Sequence, residues 1–277
     1  MTPAPTPLPR KVFETVVHEL ALGDEEVRLV SDLHLHPERG AALAVLDALL
    51  AGLPDGAVLV VLGDLFDHWV GDRQASLPGW SGIVDRFAAV APRLGALLFL
   101  RGNRDFMLGE GFARRTGGRV LPGGLCLRRR EGPALLCLHG DELCRNDLRY
   151  QRTKRRLRSA PVRALLRVLP MAWAMRAAER ARARSRDVVA AADQESLWPL
   201  RTALAEARGV GPADLVFGHI HRCGAGALPG AGEALRYAVL PAFDEHDPGH
   251  ARWRADGSLE LLYDSEVRPW PGDVPLS

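Results

Sequence analysis

Seven side chains of the kinds that hold cations, Asp32, His34, Asp64, Asn103, His139, His219 and His221, each follow closely on a short apolar run. The stretch Val58 to Asp72, VLVVLGDLFDHWVGD, shows the arrangement most plainly: apolar Val58 to Leu62, then Gly63, then Asp64. Val27, Leu29 and Val30 lead into Asp32 and His34, and Ala96 to Leu100 lead into Gly102 and Asn103. Ala134 to Leu138 end at His139, and Leu215 to Phe217 pass through Gly218 to His219 and His221. Any one of these residues alone reads as a surface turn or a helix cap. If the runs are neighbouring strands, however, all of them converge in the crevice beyond the strand ends, where α/β sheets bind ligands. Imidazole, carboxylate and amide oxygen together suit Mn, Fe or Zn. Seven such groups exceed the needs of one four-coordinate ion. Two ions about 3.5 to 4 Å apart would use them all and would clamp the attacking and leaving oxygens of a phosphoryl displacement. Asp64 is the candidate bridging carboxylate.

The elements that must position these groups are legible in outline. A continuous apolar run fits a strand buried on both faces, and a Gly before the acid permits close backbone approach. Ala41 to Leu50 carries good helix formers at helical spacing between two such strands, which makes a βαβ unit. Ile83 to Leu94 predicts a second crossover helix before the strand at Ala96. Met1 to Arg10 is Pro-rich and predicts a loose tail, and Phe13 to Leu22 with Gly23 and Asp24 predicts a hairpin at the sheet edge. Beyond Pro199 the expectation is a helix through Arg208. Short strands at Leu235 to Leu240, Ala251 to Arg254 and Leu259 to Tyr263 are expected to build a second, largely antiparallel sheet.

The chain has 277 residues, 47% hydrophobic and 25% charged, which a single α/β domain can fill. Cys126, Cys137, Cys144 and Cys223 show no CxxC spacing, and no basic region followed by an apolar core opens the chain. The expectation is reduced thiols in a cytoplasmic protein. The net charge of +2 hides polarisation: Arg145 to Arg186 holds fourteen basic residues against Asp147 and Glu179. Within that stretch Leu165, Leu166, Val168, Leu169, Met171, Trp173 and Met175 form an apolar segment interrupted by Pro170, too short to span a bilayer. Two helices forming a cap are expected there. Its basic residues admit three readings: a solvated face, a nucleic-acid contact, or contact with an anionic membrane surface. Aromatic interleaving suited to single strands is sparse, with Tyr150 and Trp173 alone.

The blocks DLHLH, GDLFDHW, GNRDF, LHGDEL and GHIHR resemble, in order, the signature blocks of the calcineurin-like metallophosphoesterases. GDLFDHWVGD, GNRDFMLG and HGDELCRNDLRYQ are similar to the family's UDP-2,3-diacylglucosamine pyrophosphatases of lipid A synthesis. The resemblance covers roughly Val27 to Leu240. It implies an α/β fold, a β-sandwich of two mixed sheets flanked by helices, with a helical cap at 150–198 inserted in a single domain spanning 1–277. It places Asp32, His34, Asp64 and His221 on one divalent cation and Asp64, Asn103, His139 and His219 on the other. Mn2+ is expected first, with Fe or Zn admitted by the same donors.

The resemblance also implies substrate contacts from Trp69, Arg104, Asp147, Tyr150, Arg182 and Ser185, and catalytic roles for Asp64, Asn103, Arg104 and His139. A hydroxide between the cations would attack the diphosphate of an acylated UDP-sugar, at a protein associated peripherally with the inner membrane. Trp69 reads equally as a core aromatic. Many relatives carry His where GNRDF has Arg104. Arg cannot donate a proton, so a bidentate clamp on a diphosphate fits better, unless Arg104 merely pairs with Asp105. The family's cap usually supplies an Asn and a Lys where this chain has Val189 and Ala192, which leaves Arg186 or Gln194 as the expected substitute. A generic phosphodiesterase or nuclease, and a binding module on the same fold, are the alternative functions. Nucleic acid is not the expected partner.

Overall fold

The computed structural model describes residues 6–12, 15–144, 148–191, 206, 213–221, 223–228, 235–243, 249–263 and 266–269. Side chains are described for these residues except 6–12, 149–150, 183–191, 213, 228 and 266–269. The strands are β1 (Thr6–Val12), β2 (Thr15–Ala21), β3 (Val27–Val30), β4 (Val58–Val61), β5 (Ala96–Leu100), β6 (Arg119–Leu121) and β7 (Gly123–Arg128). They continue with β8 (Ala134–Leu138), β9 (Ala213–Phe217), β10 (Gly224–Leu228), β11 (Leu235–Val239), β12 (His250–Trp253), β13 (Leu259–Tyr263) and β14 (Glu266–Pro269). The helices are α1 (Gly40–Ala51), α2 (Trp80–Val90), α3 (Glu110–Thr116), α4 (Leu148–Leu157), α5 (Ala160–Val168) and α6 (Met171–Ala191).

Two seven-stranded sheets form, in the orders β14-β13-β12-β3-β4-β5-β6 and β1-β2-β7-β8-β9-β11-β10. Both are mixed. In the first, β3, β4, β5 and β6 run parallel while β12, β13 and β14 are antiparallel to their neighbours. The parallel part needs crossovers, and α1 and α2 supply two of them. The period-two alternation of side chains then explains the layers. Val58 and Val60 of β4 pack with Leu125, Leu127, Leu135 and Cys137 of the opposite sheet, whereas Leu59 and Val61 pack with Leu46, Ile83, Val84 and Phe87 of α1 and α2. A third cluster, with Cys126, Leu136, Leu138, Leu215 and Phe217, covers the outer face of the second sheet.

Several expectations are corrected. The C-terminal strands do not build a sheet of their own: β11 joins β9 in the second sheet, while β12 and β13 extend the first beside β3. Thr6–Val12, partly inside the expected tail, form β1 against β2. β2 does not hairpin onto β3 either, because it pairs β7 in the other sheet. Gly23 and Asp24 therefore carry the chain from one sheet to the other. The cap is built from α4, α5 and α6 rather than two helices, since Ser159 and Pro170 each break the run. The helix expected through Arg208 lies outside the described residues, apart from Glu206. No helix among the described residues is long and apolar enough to cross a membrane.

Candidate metal centre

The ends of β3 and β4 are stitched together beyond the sheet. Asp32 donates its N–H to the carbonyl of Gly63 at 3.2 Å, His34 to that of Asp64 at 3.0 Å, and Leu35 to that of Leu65 at 2.9 Å. Leu33, Leu35, Leu65 and Phe66 are fully buried on the helix side. With these residues packed against the helices, Asp32, His34 and Asp64, each in left-handed backbone, face the other side. In the second sheet Gly218 donates to the carbonyl of His139 at 2.9 Å, which brings the loops after β8 and β9 side by side. The five runs are therefore not neighbours in one sheet. β3, β4 and β5 adjoin in one, β8 and β9 in the other, and the two sets of loops meet across the sandwich.

Backbone conformation marks the same residues. Among the described residues, the non-glycine positions with positive φ are Asp32 (53°), His34 (46°), Asp64 (50°), His219 (71°) and His221 (53°). Left-handed backbone at a side chain bearing a Cβ costs about 1 to 3 kcal/mol and persists where the surroundings over-determine it, typically at functional sites. All five are predicted metal ligands.

Ring and carboxylate atoms converge closely. His221 Nε2 lies 3.3 Å from Asp32 Oδ1 and 3.1 Å from His34 Nε2. His139 Nε2 lies 2.9 Å from Asn103 Oδ1 and 3.6 Å from Asp64 Oδ1. The His219 ring centroid is 5.1 Å from that of His139. Donor atoms of Asp32, His34 and His221 form one group within 4.8 Å of one another, and those of Asp32, Asp64 and His139 form another. Asp32 belongs to both groups and Asp64, the expected bridge, to the second.

Partners outside the centre set the orientation of these groups. Asp32 Oδ2 accepts from Ser31 Oγ at 2.6 Å and from the N–H of His219 at 2.8 Å, while its Oδ1 is buried without a hydrogen-bond partner. A buried carboxylate oxygen with no donor is costly unless a cation faces it. His139 Nδ1 lies 3.0 Å from the Leu62 carbonyl and so carries a proton, which turns Nε2 toward the centre. The donor set fits two divalent cations.

The electrostatics agree. Burial alone would raise the Asp32 carboxyl, but the His221 ring beside it and the fields of His139 and His34 hold it below the usual range. Burial lowers His139, yet Asp64, Asp32, Asp141 and Glu142 outweigh that and raise it to about 9. Burial pushes His219 down to about 3, helped by the charge of His139. The carboxylates of the centre attract positive charge, while burial holds the His34 and His219 imidazoles below their usual range.

Arg104 stands at the edge, its side chain 27% exposed, with Nε 3.3 Å from Asp64 Oδ2 and Nη1 3.4 Å from Asp67 Oδ1. It does not pair with Asp105, whose carboxylate instead accepts from the N–H groups of Gly102 at 2.8 Å and Leu65 at 2.7 Å. Arg182 of α6 reaches Asp67 from the cap. Trp69, read from sequence as a substrate contact or a core aromatic, is 1% exposed, stacked on Phe66 with centroids 4.5 Å apart, and its Nε1 donates to Asp72 at 3.3 Å, which is the core placement. Asp147 lies outside the described residues. Tyr150, Ser185 and Arg186, like Val189, fall where side chains are not described.

Sequence reasoning missed three buried organisers, Asp67, Asp105 and Asp141. Each sits inside a recognised block, one to three residues past a ligand or Arg104, so position within GDLFD, GNRD and HGD was the available signal.

A family profile described as calcineurin-like phosphoesterase matches residues 27–223. The chain belongs to the calcineurin-like phosphoesterases. Among its relatives is a UDP-2,3-diacylglucosamine hydrolase of Stenotrophomonas maltophilia strain R551-3, 34% identical over 76% of this chain and 88% of that one. A UDP-2,3-diacylglucosamine hydrolase of Xanthomonas axonopodis pv. citri strain 306 is 34% identical over 84% of this chain and 97% of its own. One from Pseudomonas putida strain W619 is 34% identical over 79% and 91%. As a metallophosphoesterase, the chain is expected to carry divalent metal ions, in agreement with the donor groups described above.

Proposed function

We propose that this phosphoesterase hydrolyses the diphosphate of UDP-2,3-diacylglucosamine, releasing UMP and 2,3-diacylglucosamine 1-phosphate. The observation that carries the reading is Arg104 beside Asp64, where a proton-donating His would suit a poor leaving group. A guanidinium stays charged and makes planar, paired contacts with phosphate oxygens. A departing nucleoside phosphate or sugar phosphate needs little protonation, so a diphosphate matches this site better than a simple ester. Relatives 34% identical to this chain are UDP-2,3-diacylglucosamine hydrolases, which points to the acylated UDP-sugar.

Asp32, His34, Asp64 and His221 would hold one cation and Asp64, Asn103, His139 and His219 the other, with Mn2+ as the proposed occupant. When bound, the cations would lower the pKa of an attacking water and take up charge developing on the phosphoryl oxygens. The remaining work falls to the chain. Leu62 fixes the His139 ring so that Nε2 faces the centre, and Ser31 with the His219 amide fixes Asp32 so that Oδ1 does. Arg104 positions the diphosphate, and Arg182 joins it from the cap through their common partner Asp67.

The cap is also the proposed membrane contact. Leu165, Val168 and Trp173 are 54%, 77% and 66% exposed on either side of Pro170, with Arg167 and Arg176 adjacent. Apolar and basic side chains together favour an anionic lipid surface, where an acylated substrate resides. The test is hydrolysis of UDP-2,3-diacylglucosamine, bis-p-nitrophenyl phosphate and single-stranded DNA, each with added Mn2+ and with chelator. Metal-dependent release of UMP supports the reading. Cleavage of the diester or DNA with the lipid left intact would replace it with a general phosphodiesterase.

A further inference from the structure

The cap's basic residues do not all face solvent. On α4, Gln151, Lys154 and Arg158 are spaced i, i+3, i+7, which aligns them on one helix face, with Arg158 just beyond the last helical residue. That face meets the body through polar contacts. Gln151 Nε2 donates to the carbonyls of Asp141 at 3.0 Å and Cys144 at 3.1 Å. Lys154 Nζ lies 2.8 Å from Asp141 Oδ2, and Asp141 is wholly buried. Arg158 Nη2 donates to the carbonyl of Gly102 at 3.0 Å and lies 3.4 Å from the same Asp141 oxygen.

Those two acceptors belong to different site loops. Asp141 lies two residues past His139, and Gly102 directly precedes Asn103 and Arg104. Gly102 also forms the wall behind Asp64: a Cβ there would fall 2.1 Å from Asp64 Oδ1 and 2.3 Å from its backbone nitrogen. Gly63 closes the same layer, since a Cβ on it would meet the Cα of Gly102 and His139 Nδ1, both at 2.8 Å. In a layer packed this tightly, a shift of Gly102 is passed to Asp64, Asn103 and His139 without slack.

We propose that Arg158 is a positioning residue: by bonding the Gly102 carbonyl and the Asp141 carboxylate with one nitrogen, it locks the Asn103 loop to the His139 loop. Its two acceptors, Gly102 and Asp141, are not among the predicted metal ligands. The cap is thereby a buttress of the metal centre as well as a substrate cover. This inference rests on the phosphoesterase reading but not on the identity of the lipid. The planar guanidinium can serve both acceptors from one rotamer, whereas a compact Lys ammonium at the same position reaches one at a time.

The experiment uses the full chain. Mn2+ binding to the metal-free protein is followed by calorimetry, turnover is followed on bis-p-nitrophenyl phosphate, and folding is checked by thermal unfolding. Arg156, exposed on the same helix, provides the comparison in which an equal charge is lost. Arg158→Gln should weaken Mn2+ binding about tenfold or more and lower kcat by about tenfold to a hundredfold, with KM for this small diester little changed, as loss of site geometry predicts. Arg158→Lys should fall between, and Arg156→Ala should match the wild type. The proposal is overturned if Arg158→Gln binds Mn2+ as Arg156→Ala does, or if Arg158→Lys restores binding in full. Failure of the wild type to cleave any phosphodiester would instead sink the functional reading, and the binding isotherms would still decide the role of Arg158.

Discussion

Gly102→Ala is the most severe test of the centre by a single methyl group. The backbone at Gly102 is one that alanine can adopt, so the substitution carries no conformational strain of the left-handed kind. Its effect is steric. The added Cβ would lie 2.3 Å from the Asp64 nitrogen and 2.1 Å from Asp64 Oδ1, against an ordinary contact of about 3.5 Å. One of the two strands' loops must therefore yield by about 1 Å, and the atom in the way is backbone already held at φ 50°. Overpacking of this kind costs about 1 to 3 kcal/mol in stability. A displacement of about 1 Å at a catalytic constellation costs on the order of a hundredfold in rate. Gly40→Ala is the comparison, because a Cβ at Gly40 meets nothing within 4 Å and the residue opens α1, where alanine is favoured. Turnover of bis-p-nitrophenyl phosphate, Mn2+ affinity and the denaturant midpoint would be measured on both. Wild-type turnover and metal binding in Gly102→Ala would refute the packing of Gly102 on Asp64.

Four other outcomes are expected. Arg104→Ala should lower kcat on a diphosphate by one to several orders of magnitude, by analogy with removing a preorganised charge from a developing anion. Arg104→Lys should recover little, since Asp64 and Asp67 are met by different nitrogens of the fork, and full recovery would disprove the clamp. Trp69→Ala should cost about 3 to 5 kcal/mol in chemical denaturation, as for other buried aromatics, while Trp69→Phe keeps most activity; a KM effect without a stability effect would restore the substrate role. Toward a thiol reagent near pH 8, partly exposed Cys223 should react first. Cys126, pushed up to about 11 by burial, and Cys137, which burial also pushes well up, should wait for unfolding, as mass mapping of the modified cysteines would reveal. Finally, Glu260 accepts from Arg254 and Arg252, which hold its carboxyl below the ordinary range. A depressed folded-state pKa means this stabilisation is present above the unfolded value and lost as pH falls through the folded one. Glu260→Gln should therefore narrow the difference in unfolding midpoint between pH 7 and pH 3, and an unchanged difference would count against it.

The sequence by itself determined which residues are the candidate ligands and the type of the elements before them. Asp, Asn and His after apolar runs are local patterns, and burial of Leu33, Leu35, Leu65 and Phe66 against the helices leaves the polar residues the other side to face. It also determined that the Arg145–Arg186 stretch would be helical and basic. What it could not determine is anything set by partners far along the chain. The split of the five runs between two sheets depends on pairings such as β8 with β9 and β3 with β12, which join residues more than seventy positions apart. Trp69 has the same local sequence whether it faces substrate or core, and only the close approach of Phe66, Phe112 and Trp80 decided for the core. Lys154 and Arg158 look like Arg156 in sequence. Tertiary structure alone set the buried Asp141 carboxylate opposite the first two and left the third in water, because a guanidinium or ammonium group becomes structural only where a desolvated acceptor awaits it.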